Sequence, residues 1–230
     1  MASTCPFDLD TLRLRAEIES IYRRVATEPS GDFHFHRGPT YAAEMLGYDA
    51  ITLARLPMDS TASFAGVANP HRIAPMTAGA TVVDIGCGAG MDLLLAAEAV
   101  GPGGRAIGVD MTEAMAERAR TGARSRALAN VEVRLGDAMS LPIESESVDV
   151  VISNGVLNLT PDKEQTFGEV FRTLKPGGQF LYGDIVVATE LSESIRRNIL
   201  SGLHHEYRLE RHAARATRPK YLRITLPSSH

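Results

Sequence analysis

The ten residues Thr81-Val82-Val83-Asp84-Ile85-Gly86-Cys87-Gly88-Ala89-Gly90 constrain the fold of this chain more than any others. A short run of branched apolar residues reads as a buried strand, and it empties into a turn with glycine at every second position. Without a Cβ, those positions can adopt dihedrals closed to other residues and allow a ligand close to the main chain. Met91-Asp92-Leu93-Leu94-Leu95-Ala96-Ala97-Glu98-Ala99-Val100 follows at once as a helix. The turn therefore ends at a helix N-terminus, where free N–H groups and the helix dipole favour an anionic group. A dinucleotide fingerprint asks for glycine at its first, third and sixth positions, and here Met91 stands in the sixth. A tight strand-to-helix turn in an ordinary α/β domain would use the same residues.

About twenty residues beyond the turn, where a ribose-binding acid is expected, Arg105-Ala106-Ile107-Gly108-Val109-Asp110 reads as a second strand ending in a carboxylate. Asp110 can accept from both vicinal ribose hydroxyls, or it can cap the helix that starts near Thr112. Val131–Leu135 forms a third strand, ending at Gly136-Asp137-Ala138, and acids so placed can read an adenine amino group. A fourth strand, Ser147–Ile152, runs into Ser153-Asn154-Gly155. A helix over about Lys163–Leu174 and the breaker Lys175-Pro176-Gly177-Gly178 precede a fifth, Gln179–Asp184. Strands alternating with helices predict an α/β fold, Rossmann-like and doubly wound on a mainly parallel sheet. Ligands in such sheets sit beyond the carboxyl ends of the strands, where these acids and glycines fall.

Taken in order, VDIGCGAG, IGVD, LGDA, VDVVISN and LKPGG resemble the class I S-adenosylmethionine-dependent methyltransferases over about Thr81–Asp184. The resemblance implies a seven-stranded sheet with S-adenosylmethionine across the first strand tips. It places Asp84, Gly86, Cys87, Gly88 and Gly90 around the methionyl part, Asp110 at the ribose and Met111 on the adenine, with Asp137 and Ala138 at the adenine edge. Asn154 joins them as a cofactor-binding candidate, and Asn154 and Asn158 could orient a substrate or simply cap the following turn. GPGGRAIGVDMT, SVDVVISNGVLNLTPDK and FRTLKPGG, with LGYDAITLARLP and FAGVANP upstream, are similar to the arsenite methyltransferase branch, over roughly Phe33–Ile185.

That branch uses cysteines, because trivalent arsenic is thiophilic. The resemblance implies cysteine where this chain has Val67 and Gly155, and a further one after the fifth strand; only Cys5 and Cys87 occur here. Capture of arsenite by three protein thiolates is therefore not expected. The acceptor is expected to be a small molecule or a metalloid arriving as a thiol complex. Two other readings stand beside this one. A nicotinamide-dependent (NAD) oxidoreductase is disfavoured by Met91 and Asp137, whereas a cofactor-binding relative without catalytic activity is suggested by the absent cysteines.

Residues 1–77 are expected to form a helical lid, residues 78–190 the cofactor-binding domain, and residues 191–230 a helix, about Ser192–Tyr207, with a divergent basic tail. Within the lid, Phe33-His34-Phe35-His36 alternates, so both histidines would share a face of an extended segment. Two ligands without a nearby third make an incomplete metal site, so no metal is expected. No catalytic residue is assigned; His34, His36 and Asp184 are general-base candidates on position, one of the histidines is expected to hydrogen-bond within the lid or face the substrate, and Tyr41 and Glu44, on a following helix, are candidates for that same place. Only Tyr221–Leu226 reads as a strand after the fifth, so the closing hairpin looks incomplete, and an exposed sheet edge could pair a homodimer.

A net charge of −4 gives no general attraction to nucleic acid. Charged residues interrupt the first twenty positions, and Glu98 interrupts the longest apolar run. Neither a leader nor a membrane span is expected, and the expected location is the cytoplasm.

Overall fold

The computed structural model describes residues 11–28, 31–33, 35–187 and 217–227. Six strands form one sheet: β1 (Thr81–Ile85), β2 (Arg105–Asp110), β3 (Val131–Leu135), β4 (Val148–Asn154), β5 (Leu174–Val187) and β6 (Thr217–Thr225). Their order is β3-β2-β1-β4-β5-β6, parallel throughout except for β6, which runs antiparallel to β5 from Gln179↔Thr225 to Val187↔Thr217. The order reverses between β1 and β4, and such a switch point opens a crevice at the carboxyl ends of the strands.

Helices α5 (Met91–Val100) and α6 (Glu113–Ser125) cover one face, and α7 (Lys163–Thr173) covers the other. Alternation along β1 divides its side chains accordingly. Val83 and Ile85 pack with Ile107, Val151, Phe180 and Val170, while Val82 packs with Ala96, Val100 and Leu181. Burial on both faces explains why these strands read as continuous apolar runs.

Ahead of β1 lie α1 (Thr11–Thr27), α2 (Gly38–Leu46), α3 (Ala50–Arg55) and α4 (Met58–Ala62). Gly47 ends α2 in a left-handed conformation, φ 72°, and Asp49 starts α3 by accepting the Thr52 N–H at 2.7 Å. Leu46, Tyr48, Leu53, Leu56 and Phe64 form an apolar face that docks on Met91, Leu94 and Ala123. Helix α1 packs Val25 and Ala26 against Ala89 and Met115, directly over the glycine turn.

The resemblance implied seven strands, whereas the described residues show six. The strand expected at Tyr221–Leu226 is present but begins at Thr217, four residues earlier, and pairs along β5. Its first half, Thr217-Arg218-Pro219-Lys220, lacks apolar alternation, and Pro219 is tolerated because this strand is outermost. The edge of β5 is thereby covered. The expected helix at Ser192–Tyr207 and His34 lie outside the described residues. No helix among those residues is long and apolar enough to cross a membrane.

Candidate functional site

One cleft runs along the carboxyl ends of β1, β2 and β4, roofed by α1 through Arg15, Ile18 and Tyr22. Its floor is the glycine turn, with Gly86, Gly88 and Gly90 at φ 67°, 52° and 93°. The N–H groups of Gly86 and Cys87 donate to the Val109 carbonyl at 2.8 and 3.1 Å, which ties the turn to β2. The glycines do different work. A Cβ on Gly88 would meet nothing within 4 Å, so that position opens into the cleft. A Cβ on Gly90 would lie 3.0 Å from the Ala119 Cβ, so Gly90 lets α5 pack closely on α6 and does not line the cleft. The Cys87 sulfur is turned beneath the floor, 2.7 Å from where a Cβ on Gly108 would stand. Burial pushes that thiol well above its ordinary range, and the Asp110 and Asp84 carboxylates add to the effect.

Four carboxylates line the cleft at different depths, Asp84, Asp92, Asp110 and Asp137. Asp84 is 2% exposed, and its Oδ2 has no hydrogen-bond partner among the described residues. Burial, with the Asp92 and Asp110 charges adding, raises its carboxyl well above the usual range. Asp110, at the tip of β2, accepts the Gly88 N–H at Oδ2 and the Thr112 N–H at Oδ1, both at 2.8 Å. Burial still raises its carboxyl, against those backbone donors. The Thr112 side chain and the Met111 N–H also engage this carboxylate. The cap of α6 is Thr112, so Asp110 is not the helix cap. Asp137 accepts the Met139 N–H at 2.8 Å and pairs with Arg15 at 2.5 Å. Met111, Ala138 and Asn154 also line the cleft.

Of the general-base candidates, the two that are described, His36 and Asp184, do not converge there. His36 is exposed and stacks on Tyr41, ring centroids 5.3 Å apart, away from the cleft. Asp184 is buried and accepts the Asn158 N–H at 2.9 Å, which fixes the 3-10 turn Leu157–Leu159 that forms one rim. Lys163 bonds the Asn158 carbonyl at 3.0 Å and that of Thr160, closing the same turn from the other side. Asn158 itself is exposed and Glu44 lies on the outer surface of α2.

Sequence reasoning missed Asp92. It is buried, and its Oδ1 receives the Tyr48 hydroxyl at 2.7 Å and meets His71 Nε2 at 3.0 Å, while its Oδ2 accepts from Asn154 Nδ2 at 2.9 Å. The one available signal was an acid in the first turn of a helix whose only other charged residue is Glu98. Val67 and Gly155 are also brought together: a Cβ on Gly155 would lie 3.4 Å from Val67 Cγ1.

A glycine floor at a switch point, an acid at each of two neighbouring strand tips and a helical roof define a Rossmann-like nucleotide-cofactor site. Residues 76–212 match the methyltransferase domain family, and the chain belongs to that family. It is 42% identical over 174 residues to an arsenite methyltransferase of Halobacterium salinarum, which covers 75% of this chain and 44% of that protein. A demethylmenaquinone methyltransferase of Lactococcus lactis is 42% identical over 101 residues, 44% of this chain and 40% of the relative. Among solved structures, the arsenic (III) S-adenosylmethionine methyltransferase CrArsM of Chlamydomonas reinhardtii superposes with a TM-score of 0.57 at 33% identity, covering 70% of this chain and 59% of that one. The chain spans about half the length of the curated relatives it matches first.

The cleft fits the cofactor of that family, S-adenosylmethionine, on two counts. Asp84 Oδ2, buried and without a hydrogen-bond partner among the described residues, would be satisfied by a donor such as an ammonium, whose charge would also offset the burial that raises this carboxyl. The open space over Gly88 admits a ligand against bare backbone.

Proposed function

We propose that the protein transfers a methyl group from S-adenosylmethionine to a small soft nucleophile, of which trivalent arsenic carried by a thiol is the foremost example. The observation that carries this reading is Asp110, which binds the Gly88 N–H and so joins the ribose-side acid to the turn that would hold the methionyl part. When bound, S-adenosylmethionine supplies an electrophilic methyl group on a good leaving group. The protein's contribution is then orientation and exclusion of water.

In this reading Asp84 faces the ammonium, Gly86 and Gly88 give backbone access, Asp110 accepts from the ribose, and Met111, Asp137 and Ala138 line the adenine end. The Arg15, Ile18 and Tyr22 face of α1 shields the cleft from water. The acceptor would enter between Phe64-Ala65-Gly66 and Gly155-Val156, where the walls are mainly apolar and Val67 touches position 155. A wall of this kind offers no thiolate to a metalloid, so thiol ligands would arrive with the acceptor. A nucleophile already holding a free lone pair needs no base, consistent with His36 and Asp184 standing aside.

We further place the protein in the cytoplasm, with no nucleic-acid partner, from its charge and composition. A homodimer would form through β6 or β3, the outermost strands; light scattering that shows a monomer at working concentrations would discard it.

The test of function is calorimetric titration with S-adenosylhomocysteine, S-adenosylmethionine and NADH, followed by arsenite with glutathione. Binding of the two adenosyl ligands alone, then methylated arsenic by mass spectrometry, is the expected result. Binding of NADH in their place would overturn the cofactor, and binding without any methylated product would leave a cofactor-binding protein only.

A further inference from the structure

The side-chain amide of Asn154 is saturated within the chain. Its Oδ1 accepts the N–H groups of Val67 at 2.8 Å and Ala68 at 3.0 Å. Its Nδ2 donates to the Ala68 carbonyl at 2.8 Å and to Asp92 Oδ2 at 2.9 Å, with the Tyr48 hydroxyl at 3.2 Å. Two N–H donors on one side, and a carbonyl with a carboxylate on the other, permit only one orientation of this amide. An asparagine so engaged has little left to offer a substrate.

What it holds is the strip Gly66–Ala68, which arrives from the helical cap and crosses the tip of β4. The contact is close: a Cβ on Gly66 would stand 2.6 Å from Asn154 Cγ and 2.6 Å from Phe64 Cζ. Asp92 anchors the other side of the amide. Beyond Asn154, it gathers Tyr48 from the α2–α3 connection and His71 from the turn before β1. The Tyr48 hydroxyl lies 3.0 Å from the Ala68 carbonyl as well, so the strip is gripped at both its N–H and C=O groups. Two donors, Tyr48 and Asn154, with His71 Nε2 as a third in the tautomer that carries its proton there, surround this one buried carboxylate at the N-terminal end of α5.

We propose that Asn154 and Asp92 are positioning residues that clasp the Gly66–Ala68 strip to the sheet and so set the wall against which the methyl acceptor is held. The proposal rests on the methyltransferase reading of the cleft. Transfer that relies on orientation is sensitive to this wall, because a misplacement near 1 Å can cost about a hundredfold in rate. The clasp also explains why the cap stays registered on the cofactor domain across 87 positions of sequence between Val67 and Asn154.

The experiment uses Asn154→Ala, which removes the acceptor, and the reversed pair Asn154→Asp with Asp92→Asn, which keeps the acceptor for the Val67 and Ala68 N–H groups and one donor facing one acceptor at positions 92 and 154, but loses the bond to the Ala68 carbonyl. Hydrogen exchange by mass spectrometry follows the Val67 and Ala68 amides in the full chain. Exchange about tenfold faster or more in N154A, recovered in part in the reversed pair, is expected from loss and return of the backbone N–H bonds to position 154. Equal exchange in N154A and wild type, or no recovery in the reversed pair, would overturn the clasp. If N154A does not fold, N154D alone replaces it, since it sets two carboxylates against each other where the reversed pair does not.

With arsenite and glutathione as the acceptor probe, kcat should fall by about tenfold or more in N154A and recover in part in the reversed pair. Wild-type kcat in N154A would overturn the positioning role even if the clasp itself is real. S-adenosylhomocysteine titration of the wild type separates the two readings. Absent binding there defeats the cofactor assignment, while the exchange data still judge the clasp.

Discussion

Arg15 and Asp137 meet at 2.5 Å across the mouth of the cleft, joining the roof helix α1 to the acid that follows β3. The guanidinium is 41% exposed and the carboxylate 22%, so the pair is partly solvated and contributes at most about 1 kcal/mol. Its position matters more than its strength, because opening the roof requires breaking it. Arg15→Ala should speed dissociation of S-adenosylhomocysteine by up to roughly fivefold, the kinetic equivalent of that energy. Added salt should speed release from the wild type more than from the variant, since screening acts on the pair. Stopped-flow release curves check both; identical off-rates would show that α1 does not gate the cleft.

Asp84 gives the ligand-free protein a specific pH dependence. Its carboxyl is raised by burial, with Asp92 and Asp110 adding, so the folded state binds the proton more tightly than the unfolded chain does. Stability is then fully present below the ordinary carboxylate range and is lost as pH rises through the raised value. Asp84→Asn removes this loss, so its Tm should change less than that of the wild type between mildly acid and mildly alkaline pH. In the proposed cofactor arrangement the same substitution also removes the carboxylate that would face the ammonium, and it should weaken S-adenosylmethionine binding by about tenfold or more. Thermal scans across pH, with titrations beside them, check the two effects. Parallel Tm curves for variant and wild type would refute the assignment of the proton to Asp84.

Two glycines of the floor should respond oppositely to alanine. Gly88 has φ 52° and free space where its Cβ would lie, so Gly88→Ala meets only backbone strain of about 1 to 2 kcal/mol. The free space is the cleft, and S-adenosylhomocysteine binding should be lost. Gly86→Ala, at φ 67°, drives its Cβ into the Val156 side chain, so it should add a packing cost to the same strain. Denaturant unfolding and calorimetry should rank Gly86→Ala as the less stable variant and Gly88→Ala as the folded non-binder. Tight binding by Gly88→Ala would remove the turn from the cofactor site.

Much of this site could be read along the chain because its parts are local. The strand Arg105–Asp110 appears with the expected bounds, since its apolar run ends at a charged residue and a helix start. The glycine turn, Asp110 and Asp137 each follow a strand directly, so finding the strands found them. The clasp could not be read that way. Tyr48, His71 and Asn154 reach Asp92 from 44, 21 and 62 positions away, and no local pattern announces such a meeting. Gly66 carries a similar lesson, because its need to be glycine comes from Asn154, not from its own φ. The first half of β6 was missed because pairing with β5, rather than its own alternation, makes it a strand.

The contact between Val67 and Gly155 permits a direct test of how a metalloid would be held. A Cβ on Gly155 would lie 3.4 Å from Val67 Cγ1, so thiols placed at both positions could share one trivalent arsenic. Cys87 cannot take that role, because its sulfur is packed under the floor and burial raises its thiol well above the ordinary range. In a Cys5→Ser background, Val67→Cys with Gly155→Cys should retain one arsenite through desalting, visible in the intact mass. The parent should retain none. Cysteine at position 155 must accept φ 74°, a strain of about 1 to 2 kcal/mol, so the doubly substituted protein should also melt somewhat lower than the parent. Bound arsenite should offset part of that loss, because a ligand held only by the folded state stabilises it. If the parent itself retains arsenite, the apolar wall is not what decides how the acceptor is held, and thiol delivery of the metalloid is no longer required.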